Sequence, residues 1–184
     1  MQPARVYSAS LAPHPDTRNT PVHHIDAHAC RKRDGTLELR YTLHGDLTRL
    51  RVPLRGAADT ADPLWQHTCF EAFVRREEAS AYHELNFSPS GAWAAYAFER
   101  YRERMLPGEC ALEPHVTLRQ SAELLELAAV IRLDLISPLY ANARLALAMC
   151  AVIEESDGAL SYWALRHPSG TPDFHHRDGY ALEL

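Results

Sequence analysis

Leu64 to Met105 reads LWQHTCFEAFVRREEASAYHELNFSPSGAWAAYAFERYRERM. Three runs inside it, Thr68 to Arg75, Tyr82 to Ser88 and Ala92 to Phe98, alternate apolar or aromatic residues with polar or small ones, and Glu-Glu-Ala-Ser and Pro-Ser-Gly separate them. Connections this short have no room for a crossover helix, so the runs predict an antiparallel meander. A period of two then sorts the side chains. Tyr82, Glu84 and Asn86 share one face of the middle strand, with His83, Leu85 and Phe87 on the other. On the first strand Cys69, Glu71 and Phe73 oppose Thr68, Phe70 and Ala72. Glu71 therefore sits among apolar neighbours, where a carboxylate must be paired, hydrogen-bonded or put to use. The plainer reading of Glu71 and Glu84 is a salt bridge to an arginine, or a solvated face.

Towards the N-terminus, GAADTADP from Gly56 to Pro63 is a loop by composition, and residues 47 to 53 have room for a short strand. In TLELRYTLHG, Leu37, Leu39, Tyr41 and Leu43 alternate with Glu38, Arg40 and Thr42. The turn Arg33-Asp34-Gly35 and the extended segment HHIDAHACR precede it, a hairpin signature with one face in the core. Residues 1 to 21 carry Pro3, Pro13, Pro15 and Pro21, which exclude a long helix and leave an arm or an edge strand near Val6 to Leu11.

Beyond Phe98 the polar run ERYRERMLPGE predicts a helical turn ended by Pro107-Gly108. Val116 to Gln120 and Leu124 to Asp134 form the next pair, with Leu125, Leu127, Ala129, Ile131 and Leu133 on one face. LLELAAVIRLDL is also rich in helix formers, but its unbroken alternation and Pro138 soon after favour strand. Arg144 to Ile153, the turn Ser156-Asp157-Gly158 and Ala159 to Leu165 make a second hairpin, and Tyr180 to Leu184 reads as a terminal strand. Nine to eleven strands at regular spacing predict one all-β domain, an antiparallel β-sandwich with little helix.

A chain of 184 residues suits a single domain and can bury a core without metal or disulfides. Its charged fraction of 23% and apolar fraction of 46% are those of soluble globular proteins. A formal charge of −5 and a pI near 6.1 argue against nucleic acid as partner, which would require a clustered basic face. No stretch is long and apolar enough to span a membrane. The first residues have neither the order nor the apolar run of a signal peptide, so a cytoplasmic location is expected. Cys30, Cys69, Cys110 and Cys150 form no CxxC pair and are expected to be buried free thiols.

Trp65, Trp93 and Trp163 lie near strand ends, where an indole offers a flat apolar face with one donor edge. Trp65, beside the polar loop, is the best placed to line a site. The chain has 11 histidines. His23-His24 and His175-His176 are adjacent pairs whose members point to opposite faces of an extended chain, so neither pair is a chelate by itself. In the tail, His167, Asp173, His175 and His176 gather on a loop stiffened by Pro168, Gly170 and Pro172. They read either as metal ligands or, more simply, as side chains capping the loop's own turns. There is no phosphate loop, GxSxG elbow or HExxH.

The blocks LWQHTCFEAFV, YHELNFSPSGAWAAYAFERYRERM and SYWALRHPSGTPDFHHRDGYALEL together resemble the bacterial DOMON-like family, in the superfamily of DOMON domains and family 9 carbohydrate-binding modules. The resemblance runs from about Leu37 onward and implies a sandwich that holds a ligand, a sugar in some members and a haem in others. In the sugar binders, Trp rings sandwich the ligand while carboxylate, Asn and Arg side chains hydrogen-bond its hydroxyls. Trp65, Glu71, Glu84, Asn86 and Trp163 look like the corresponding positions.

The expectation is therefore a non-catalytic module binding a carbohydrate or similar small polar metabolite, with no cofactor or metal. Its ligand-binding residues are expected among Trp65, His67, Glu71, Tyr82, Glu84, Asn86, Trp93, Trp163, His167, Asp173 and His175. One alternative is haem-binding electron transfer through Met105 with His167 or His175. Another is a hydrolase using Glu71 or Glu84 with a tail histidine.

Overall fold

The computed structural model describes residues 5–54, 56, 63–106 and 111–184. In chain order its strands are β1 (Arg5–Pro13), β2 (Val22–Arg31), β3 (Thr36–Gly45), β4 (Cys69–Arg76), β5 (Tyr82–Phe87), β6 (Trp93–Arg100), β7 (Glu103–Arg104), β8 (His115–Gln120), β9 (Leu124–Arg132), β10 (Leu145–Glu154), β11 (Leu160–Ala164) and β12 (Leu182–Glu183). Among the described residues the strand pairings are antiparallel, as short connections require for those between consecutive strands. One layer runs β1-β2-β3-β9-β8 and the other β7-β6-β5-β4-β10-β11, with β12 against β10.

Both hairpins form where the Asp-Gly turns predict them, with Gly35 at φ 82° and Gly158 at φ 91°, conformations a side chain would strain. The meander β4-β5-β6 also forms in unbroken register. The inward faces are those of the alternation. Leu37, Leu39, Tyr41, Leu43, Leu125, Leu127, Ala129 and Ile131 from one layer meet Phe70, Ala72, Val74, Leu85, Phe87, Leu147, Met149 and Trp163 from the other. Burying such side chains is worth about 1.5–3 kcal/mol each, and it holds the two layers face to face.

β1 is not the expected arm or edge strand. Its first seven residues pair with β2, while Ala12 and Pro13 pair with Ala164 and Trp163 of β11, so one strand joins the two sheets. The reason lies in proline spacing, since no proline stands between Pro3 and Pro13 and every N–H of that run can join a ladder.

Local chemistry accounts for three further differences. The run after Phe98 makes no helical turn; it reverses at Arg102, φ 56°, and returns as β7 against β6. Residues 47 to 53 form a single 3-10 turn, Leu47–Arg49, whose N-cap Asp46 accepts from the Thr48 amide at 3.1 Å, followed by one bridge from Leu50 to Glu155. β9 stops at Arg132, and Leu133–Ile136 is one turn of α-helix, α1, which still buries Leu133. Cys69 and Cys150 are buried free thiols as expected, while Cys30 is only half-buried. The interior of the expected Gly56 to Pro63 loop, the Pro107-Gly108 stop and Cys110 lie outside the described residues.

Candidate ligand-binding site

The register places Cys69, Glu71 and Phe73 of β4, Tyr82, Glu84 and Asn86 of β5, and Tyr96 and Phe98 of β6 on the outward face of the second layer. Cys150 and Val152 of β10 and Tyr162 of β11 share that face. Glu71, Glu84 and Val152 floor a depression of about 380 Å³. One wall comes from Tyr96, Phe98, Arg102 and Arg104 at the β6-β7 hairpin. Tyr162 and the tail residues Pro172, Phe174 and His175 form the opposite wall, and Trp65, from the 3-10 turn Leu64–Gln66, closes one end edge-on to Tyr96. Arg104 lies over the Tyr96 ring at 4.0 Å.

The floor is electrostatically unusual. Glu71 is 3% exposed, and burial first and the charge of Glu84 second push its carboxyl well above the ordinary range. Its Oε1 has no hydrogen-bond partner among the described residues, and neither has Oδ1 of the fully buried Asn86. The Asn86 Nδ2 donates to Glu84 Oε1 at 2.8 Å. Glu84 Oε2 lies 3.7 Å from His175 Nε2. The Tyr82 hydroxyl accepts the Arg102 amide at 3.1 Å and is hydrogen-bonded to His175 Nδ1 at 2.8 Å, while the other ring nitrogen, Nε2, faces Glu84. Burial first, then Arg102, push His175 down to about 4. Asp173 opposes that shift without overcoming it, so His175 is a neutral imidazole between Tyr82 and Glu84.

The tail is secured by its own polar side chains. The Asp173 carboxylate accepts from the Tyr101 hydroxyl (2.6 Å), Arg102 Nη2 (2.9 Å) and the His175 amide (3.1 Å), tying the tail to the β6-β7 hairpin. His14 Nε2 donates to the Gly170 carbonyl at 2.9 Å and His167 Nε2 to that of Ala12 at 2.8 Å. His176 caps the amide of Asp178 at 3.3 Å. The loop's histidines and Asp173 thus act largely as turn caps and clamps, the simpler of the two readings.

Of the expected site residues, Trp65, Glu71, Glu84 and His175 line the depression, while Tyr82, Asn86 and Asp173 stand behind and hold them. Four others lie elsewhere. Trp163 is 3% exposed in the main core with its indole N–H on Ser161 Oγ, because odd positions of β11 face inward. Trp93 pairs with Phe87 on the inward side of β6. His67 hydrogen-bonds Glu154 at 2.8 Å, and His167 is held by Ala12. Of the residues a haem would use, His175 lines the depression and Met105, half exposed just past β7, does not. Sequence reasoning missed Tyr96, Phe98, Arg102, Arg104, Tyr162 and Phe174. The first two were legible in principle, since the meander's alternation carries them to the face of Glu84. Phe174 carries no periodic signal.

Fold and site together define an antiparallel β-sandwich with an aromatic, acid-floored depression on one outer face. Comparison with protein-family models and with curated proteins returns no match. Among solved structures the chain is similar to a candidate carbohydrate-binding protein of Bacteroides uniformis, at 13% identity and a TM-score of 0.64 over 96% of this chain and 84% of that one. It is also similar to a family 9 carbohydrate-binding module of Caldicellulosiruptor kristjanssonii. With cellotriose bound, that module matches at 9% identity and a TM-score of 0.56, over 86% of this chain and 72% of that one. With glucose bound, the match is 9% identity and a TM-score of 0.55, over 84% and 72%. At these identities the likeness is one of fold.

Proposed function

We propose that this chain is a non-catalytic, DOMON-like ligand-binding module whose outer-face depression takes a carbohydrate. The observation that carries the reading is a buried acceptor in the floor, Glu71 Oε1, without a hydrogen-bond partner among the described residues and set beneath walls of aromatic rings. Buried polar atoms are normally satisfied, and a sugar supplies the missing partner. Its hydroxyls donate to such oxygens, and its C–H faces lie against Trp65, Tyr96 and Tyr162. Glu71, when it carries its proton, can in turn donate to a ring or hydroxyl oxygen. The family 9 modules of like fold that hold cellotriose and glucose support the reading.

Isothermal calorimetry against glucose, cellotriose and a panel of mono- and oligosaccharides tests it. Saturable binding is expected, abolished by Trp65→Ala and by Glu84→Gln with the circular dichroism spectrum preserved. The reading is sunk by a panel in which no sugar binds, or by variants that bind unchanged.

A second reading rests on two carboxyl groups in one depression, Glu71 and Glu84, with burial and the charge of Glu84 holding the Glu71 carboxyl well above the ordinary range. That is the acid-and-carboxylate pairing of glycoside hydrolysis. It predicts turnover of aryl glycosides that disappears in Glu71→Gln and in Glu84→Gln, and an absence of turnover across the common aryl glycosides rejects it.

A further inference from the structure

The outer face of the other layer carries a second constellation, one that the ligand depression does not use. His24 and Asp26 sit two apart on β2, on the same outward face, and His44 of β3 is the direct cross-strand partner of His24. The two imidazoles stack at 4.2 Å and 15°, and His24 Nε2 lies 3.7 Å from Asp26 Oδ2. Each of the three residues offers one ligand atom, and these atoms all lie within 4.8 Å of one another. Among the described residues no other group of three histidine, cysteine or acidic side chains converges in this way.

We propose that His24, Asp26 and His44 form a binding site for a borderline divalent transition metal of the zinc class. Three arguments carry it. The donor set, two imidazoles and one carboxylate, is the one that zinc, cobalt and nickel prefer, whereas magnesium and calcium favour oxygen alone. With metal–ligand bonds of about 2.0–2.1 Å, ligand atoms in a tetrahedral site stand roughly 3.3 Å apart. A separation within 4.8 Å is therefore closed by side-chain rotation alone, with no movement of two strands already locked in register. Finally, the carboxylate is already oriented. Ser10 of β1, the register partner of Asp26, donates its hydroxyl to Asp26 Oδ1 at 2.7 Å, and the other oxygen faces the imidazole. Such an outer hydrogen bond is the usual companion of a ligating group. All three residues reach solvent, so the remaining coordination positions fall to water or to a donor from outside the chain.

The test is titration of tag-free, chelator-stripped protein with Co²⁺, followed by visible absorption and calorimetry. One ion per chain is expected, with d–d bands of imidazole coordination, competition by Zn²⁺, and no displacement by Mg²⁺. His24→Ala and His44→Ala should each lower the affinity at least about tenfold, and Ser10→Ala roughly tenfold through the carboxylate it orients. Glu71→Gln, on the opposite layer, should bind as the parent does. Should His44→Ala fail to fold, His44→Gln of similar volume is measured in its place. The proposal is overturned by the absence of saturable Co²⁺ or Zn²⁺ binding, or by undiminished binding when His44 is replaced.

Discussion

Glu71 keeps its proton in the folded chain at pH values where an unfolded glutamate has lost it, because burial and the charge of Glu84 both disfavour the carboxylate. Its contribution to stability is therefore full below the ordinary value of 4.5 and declines as the pH rises through the folded value. His175 has the opposite dependence. Its folded value of about 4 lies below the ordinary 6.5, so its contribution is full above 6.5 and is lost as the pH falls towards 4. Glutamine reproduces the protonated carboxyl without the titration. Glu71→Gln should thus melt higher than the parent at pH 8, with the gap closing towards pH 4.5, as thermal melts across that range would report. A gap that does not vary with pH would show Glu71 to be ionised. The apolar neighbours of Glu71 marked it as unusual in the sequence. Nothing local marked Glu84 as the second source of its shift or His175 as the group facing Glu84, since Tyr82 and His175, which hydrogen-bond, are 93 residues apart.

Tyr162 and Trp163 show how an element decides function by parity. Tyr162 opposes Val152 and faces the depression, and Trp163 opposes Ala151 and faces the core. In a strand a step of one residue changes the face, so of this pair the phenol, not the expected indole, lines the depression. Replacing Trp163 by Ala should cost about 3–5 kcal/mol by chemical denaturation, as large core truncations do. Tyr162→Ala should cost about 1 kcal/mol or less and weaken the proposed sugar binding. Equal stability losses would contradict the assigned parity. The β6-β7 hairpin was misread for a different reason. Helix formers dominate ERYRERM, but Arg102 takes a left-handed conformation and its backbone N–H is held by the Tyr82 hydroxyl, a contact outside any local window.

At the scale of the whole molecule, Tyr41 links the core to the site. It is fully buried, its ring meets Phe70 at 5.1 Å, and its hydroxyl crosses between the layers to donate to the Glu71 carbonyl at 2.7 Å. Tyr41→Phe should cost about 1 kcal/mol, visible as a lower urea midpoint at unchanged slope, and should weaken ligand binding through the strand position of Glu71. An unshifted midpoint would show that bond to be immaterial.

The sequence by itself determined the sandwich, both Asp-Gly hairpins, the meander and nearly every inward-facing residue, because burial imposes a period of two that can be read without coordinates. It also marked Glu71 and Glu84 as carboxylates in need of an explanation. Only the tertiary structure decided that β1 joins the sheets and which outward face becomes a cleft. It alone showed that Tyr162, Phe174 and two arginines complete the walls, and that His24, Asp26 and His44 converge. Those outcomes depend on pairings between distant segments, on the tail held by Asp173 and on single backbone reversals, and such contacts leave no periodic trace in the chain.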